Sequence, residues 1–204
     1  MQVQNNKEEV PFAHYAERFA ALDASEAAAR CQTDFDGHAF TLTLLGERYT
    51  ITWPEYSIQA ASPNAFALRS LPCQTFLLRY LLEGRAAAPS AGYQTFREMP
   101  WGELYISPYT GRVLTRAAFT FGTRLMAFRT ASEALGARPL PHGDAGYEYD
   151  FLGGYRMQLF VYAGDEEFPP SAQILYSDSF ASGFAAEDRV VAGDILISAL
   201  KARM

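Results

Sequence analysis

The sequence predicts an α+β fold in which antiparallel sheet hairpins carry packed helices, all within a single compact domain over residues 1–204. Three observations predict it. Apolar residues recur at helical steps in some stretches and at every second position in others. The two-step stretches come in neighbouring pairs with glycine between them, which suits hairpins better than the long crossovers of a parallel sheet. Finally, 204 residues with 49% apolar and 14% aromatic content are enough to bury a core.

The first element is a helical segment over residues 8–30. Val10, Phe12, Tyr15, Phe19 and Leu22 lie three to four residues apart, and the alanine-rich run SEAAARC follows Asp23. A hairpin occupies residues 38–53. Phe40, Leu42 and Leu44 alternate with polar residues, as do Tyr49, Ile51 and Trp53, with Gly46 between the runs. Residues 72–136 make a helical and aromatic middle. A nearly all-apolar helix runs from Pro72 to Glu83 and stops at Gly84, and RAAAPSAG reads as an exposed linker or loop. In the next twenty residues Pro and Gly are too frequent for one long element. A second helix has Thr123 as its N-cap and Gly136 as its stop. Residues 139–204 read as a sheet plus a closing helix: YEYDF, a Gly153-Gly154 turn, YRMQLFVY, AQILYS, then AAEDRVVAGDILISALKAR. Glu187 and Asp188 open that helix and Lys201 and Arg203 close it, as the helix dipole favours.

Charge excludes some classes. With 17 basic against 23 acidic residues the chain carries −6, the wrong sign for a general nucleic-acid binder. No apolar run approaches the roughly 18 residues of a membrane span, and the start MQVQNNKEEV lacks secretion-signal character, so the expected location is cytoplasmic. Cys31 and Cys73 lack the close spacing of zinc or iron–sulfur ligands and read as small buried hydrophobes. Phosphate-loop, dinucleotide, serine-hydrolase and zincin signatures are absent.

Three constellations are candidate sites. The acidic loop Asp165, Glu166 and Glu167, with Asp144 or Asp178, has the oxygen ligands of a Mg²⁺ or Ca²⁺ cage, or the crowding that splits carboxylate pKa values. Against this stands a plain polar turn in which Asp165 caps backbone N–H groups and Phe168 anchors the loop in the core. His142 beside Asp144 suits a metal ligand or an oriented base, or else an exposed Pro/Gly turn. Arg112 and Arg116 could share a helix face and hold an anion. The competing reading pairs the arginines of residues 112–138 with the acids of residues 144–194 inside the fold. Tyr93, Phe96, Trp101, Tyr105 and Tyr109 could wall a pocket for a planar ligand, although such residues are mostly core.

The segments PLPHGDAGYEYDF, YAGDEEFPPSAQILYSDS and AAEDRVVAGDIL carry a family likeness. They resemble the C-terminal half of domain-of-unknown-function family 3786, uncharacterised proteins of anaerobic bacteria and archaea. The shared positions are Gly143-Asp144, Asp165 to Phe168, Asp178 and the helix start Glu187-Asp188; FREMPWGELY is similar to the family's middle. The resemblance implies the fold unit and an anaerobe, but no activity. Some relatives carry a cysteine-rich iron–sulfur or corrinoid-linked segment, which this sequence lacks. The leading expectation is a non-enzymatic accessory or small-ligand-binding module with no cofactor assigned. Its rivals are a metal-assisted enzyme using Asp144, Asp165, Glu166 and Asp178, with His142 as ligand or base, and a structural domain forming a homodimer on a sheet edge.

Overall fold

A computed structural model describes residues 7–63, 65–66 and 68–204. Residues 1–6, part of the stretch that lacks secretion-signal character, lie outside them. The architecture is α+β. Helices α1 (Glu9–Ala20) and α2 (Ala24–Cys31) lead into β1 (Asp34–Phe35), β2 (Ala39–Leu44), β3 (Glu47–Thr52) and β4 (Ser57–Ala60). Then come α3 (Leu71–Glu83), β5 (Tyr93–Thr95), α4 (Gly102–Tyr109), a π turn (Thr110–Thr115), α5 (Arg116–Phe121) and α6 (Leu125–Ala134). Strands β6 (Arg138–Leu140), β7 (Ala145–Leu152), β8 (Tyr155–Tyr162) and β9 (Ser171–Ser177) precede the short α7 (Phe180–Gly183) and the closing α8 (Ala186–Lys201). No helix of the described residues is long and apolar enough to cross a membrane.

All strand pairs are antiparallel, in the order β4-β3-β2-β7-β8-β9-β5, with β1 on β2 and β6 on β7. Both expected hairpins form. Their turns, Leu45-Gly46 and Gly153-Gly154, have positive φ at both residues (50° and 76°, 54° and 86°), the backbone that matches strand twist. The sheet is two meanders joined narrowly: the Leu44–Leu152 pair and the Leu45 N–H on the Phe151 carbonyl (2.8 Å) link β2 to β7. Tyr147, Tyr149, Met157, Leu159, Ile174 and Tyr176 line the helix-facing side and are buried. Beneath them lies α8, which packs against α3, α4, the π turn, α5 and α6. A helix enclosed on so many sides is apolar almost all round, and twelve of its sixteen residues are buried.

Three expectations need correction, and two gain detail. Residues 8–30 are two helices, because Asp23 caps a new one by accepting from the Glu26 N–H at 3.0 Å. Thr123 is not an N-cap; Arg124 holds that place and α6 starts at Leu125. RAAAPSAG is a loop, one of its two readings, tied down where Ala86 N–H bonds the Arg30 carbonyl (3.0 Å) and Ala87 N–H the Gly153 carbonyl (2.8 Å). Phe168 does not anchor its loop and is 66% exposed. The largest miss is the aromatic middle, where Gly102–Phe121 forms one helical rod despite Pro108. Pro108 has no N–H for the ladder, and the ladder widens directly afterwards into the π turn. Gly102 is no breaker either: any Cβ there would drive into the Phe96 carbonyl, so glycine allows the rod to start against the preceding chain.

Candidate functional site

The acids singled out in the sequence do not gather. Asp165 Oδ1 accepts the N–H groups of Glu167 (2.9 Å) and Phe168 (2.7 Å). Those bonds hold its carboxyl below the usual range, and the loop is a self-capped turn with Glu166 and Glu167 in solvent. Asp144 lies at the same end of the sheet, where Oδ2 accepts the Ala163 N–H (2.8 Å) and ties β7 to the exit of β8. His142 is exposed, its ring 5.8 Å from that of Phe160. Asp178 sits at the opposite end of β9, whose seven residues put about 20 Å between it and the acidic loop; there it accepts from Ser90 Oγ at 3.3 Å. Among the described residues no three His, Cys, Asp or Glu side chains are grouped as a metal site needs. The convergence that the metal-enzyme reading requires is therefore missing. Arg112 and Arg116 both turn inward to Asp194 of α8, Arg116 at 3.0 Å and with Ser198 Oγ at 2.6 Å. The internal pairing accounts for them. Arg138 likewise bonds Glu148 (2.7 Å) and Asp150 (2.8 Å).

A different place combines charge, concavity and backbone strain. A cleft of about 370 Å³ opens where α8 begins, between the end of α3, the Pro100-Trp101 corner and the α7–α8 junction. Arg79, Glu83, Trp101, Asp188 and Arg189 line it. Arg189 is only 2% exposed, yet among the described residues it has no carboxylate partner. Its guanidinium is held by three carbonyls instead: Phe184 on Nε (2.9 Å), Pro100 on Nη1 (2.7 Å) and Ala181 on Nη2 (3.1 Å). Burial lowers its pKa from the ordinary guanidinium value, and the carbonyls stabilise the charge without cancelling it. Asp188, 7% exposed, pairs with Arg79 at 3.1 Å. Burial pushes its carboxyl up to about 6 in spite of Arg79. Glu83 is taken by Arg18 at 2.7 Å. Two arginines and two acids thus line the cleft in equal number, but Arg189 is held by carbonyls and not by a carboxylate.

Trp101 forms the rim. Its backbone is left-handed (φ 64°, ψ 0°), a strained conformation for a non-glycine residue, and the residue is 72% exposed. The Arg189 bond to the adjacent Pro100 carbonyl fixes this corner, where Trp101 lines the cleft. The five aromatics of the middle thus divide. Phe96 and Tyr109 stack in the core with centroids 4.0 Å apart. Tyr93 bonds Glu148 on the outer sheet face, and Tyr105 reaches Glu187 (3.0 Å) beside the cleft.

The sequence model of the domain of unknown function DUF3786 matches residues 23–199. The chain belongs to that family. Curated proteins gave no match, and neither did solved structures. Within this DUF3786 domain, the matched span contains every residue named for the cleft. Sequence reasoning placed Asp188 at a helix start but missed it as a site, named Trp101 among the aromatics that could wall a pocket, and missed Arg79 and Arg189 as site residues. They come from three separate stretches, and the one available signal was the Glu187-Asp188 pair of the family pattern.

Proposed function

We propose that this DUF3786 protein is a small-ligand-binding module in an accessory, non-catalytic role, and that its ligand is an anion bearing a flat apolar group. The observation that carries this reading is Arg189: a buried cation in the cleft wall, held by carbonyls and without a carboxylate among the described residues. An incoming oxyanion supplies the missing charge, and Arg79 on the facing helix offers a second guanidinium. The N-terminal end of α8 adds its dipole. Trp101, strained and exposed at the rim, supplies the face on which a planar group stacks. The volume of about 370 Å³ suits a small molecule.

The test is titration with 2-naphthalenesulfonate, followed by tryptophan fluorescence in a Trp53→Phe background. Trp53 donates its Nε1–H to the Phe19 carbonyl at 3.1 Å, away from the cleft lining, so Trp101 alone then reports. Saturable quenching with a rise in Tm is expected, lost in Arg79→Gln. Absence of any saturable response to aryl sulfonates, carboxylates and phosphates overturns the reading.

A further inference from the structure

The Arg79–Asp188 pair raises a question that anion binding alone does not answer. Arg79 is the guanidinium most open to the cleft, but Asp188 already holds its Nη2 at 3.1 Å. One face of the Arg79 guanidinium lies over the Tyr15 ring at 5.5 Å, and its Nε is buried without a hydrogen-bond partner. Little of this side chain is left for a ligand while Asp188 stays ionised. Two anions sharing one guanidinium in a poorly solvated site repel each other, and one of them must become neutral.

We propose that the ligand's anion replaces the Asp188 carboxylate on Arg79, and that Asp188 takes up one proton from solvent as it does so. The cleft is then a proton-coupled anion site, which rests on the reading of the cleft given above. The balance is simple. Asp188 gains one proton from a solvent or buffer acid, whose own bond to that proton breaks; the ion pair to Arg79 is exchanged for one to the ligand, and no other covalent bond changes. The charge brought in by a monoanion is cancelled by the proton. The burial that lifts Asp188 to about 6 already brings the protonated form within reach near neutrality.

The charged groups around Asp188 leave few competitors for this role. Arg79 and Glu83 face it from α3, and Glu187 and Arg189 from α8. Arg18 of α1 neutralises Glu83, and Tyr105 of α4 bonds Glu187. On α1, His14 lies beside Tyr15 with ring centroids 5.4 Å apart. As the histidine on the helix that packs against α3, it serves as the control.

The sulfonate probe stays ionised throughout, so any pH dependence belongs to the protein. Its affinity in the Trp53→Phe background should be flat below pH 6 and fall roughly tenfold by pH 8, the effect of a nearby like charge on a carboxyl group. Asp188→Asn should bind equally well at every pH, and His14→Gln should keep the slope. Calorimetry of the wild-type chain at pH 7 in two buffers of different ionisation enthalpy should report net proton uptake. That measurement decides alone if Asp188→Asn does not fold. Binding with no pH dependence and no proton uptake overturns the coupling while leaving the cleft reading intact. A slope that persists in Asp188→Asn but vanishes in His14→Gln also overturns it. No binding at any pH overturns the cleft reading itself.

Discussion

Two residues in the cleft wall are held in costly states by their neighbours. Trp101 sits at φ 64° because Arg189 grips the Pro100 carbonyl and Gly102 packs against the Phe96 carbonyl. If the indole is there for a ligand, Trp101→Gly relieves the strain and leaves stability unchanged or raised by about 1 kcal/mol. Ligand affinity, read by thermal shift, should drop several-fold. A clear loss of stability would instead make Trp101 a structural residue. Asp188 is the second case. Its carboxyl stands near 6 when folded, against about 3.9 in an unfolded chain. Between about pH 4 and 6 the folded chain therefore holds a proton that the unfolded chain does not. This group's contribution grows as pH falls through that window and is lost as pH rises through 6. Relative to Asp188→Asn, which cannot titrate, the wild-type chain should gain on the order of 2–3 kcal/mol between pH 7 and pH 4 in urea unfolding. A constant difference would contradict the assignment.

At the scale of elements, the rod from Gly102 to Phe121 explains much of how the middle meets the C-terminal helix. Val113 of the π turn lies so close to Gly193 that a side chain there would collide with it. Next to that contact, Asp194 reaches Arg112 and Arg116, with burial raising its carboxyl and both arginines lowering it. Asp194→Ala removes the buried acid that holds two partly exposed arginines and should cost about 1.5–3 kcal/mol by denaturant titration. A loss below 0.5 kcal/mol, as for ordinary exposed pairs, would show the cluster to be a surface feature. Elements with an uninterrupted period were legible in the sequence: the two glycine-turn hairpins, α3 and α8. The rod was not, because Pro108 and Gly102 look like stops. Their tolerance depends on a π turn and on the Phe96 carbonyl, neither of which local sequence encodes. The acidic loop erred the other way. Its charges are concentrated in sequence, yet Asp165 spends its carboxylate on its own turn.

For the whole molecule, the sheet is two meanders with one connecting residue pair, Leu44–Leu152. Strand β4 is an exposed edge, whereas β8 is paired along both sides. Hydrogen exchange should show β3 and β4 opening at lower free energy than β7 and β8; equal protection would mean that the helices weld both halves into one cooperative unit. The cleft is likewise a product of the whole chain. Arg79, Trp101 and Asp188-Arg189 converge only once α3, the rod and α8 have packed, so no local spacing in the sequence marks them. Ligand binding in the cleft is tested most directly by an NMR titration of 2-naphthalenesulfonate into the ¹⁵N-labelled chain. Trp101 Nε1–H and the Arg79 and Arg189 Nε–H signals should shift and saturate together while Trp53 stays still. Saturable shifts confined to another surface, or no saturation at all, would contradict the cleft as the ligand site.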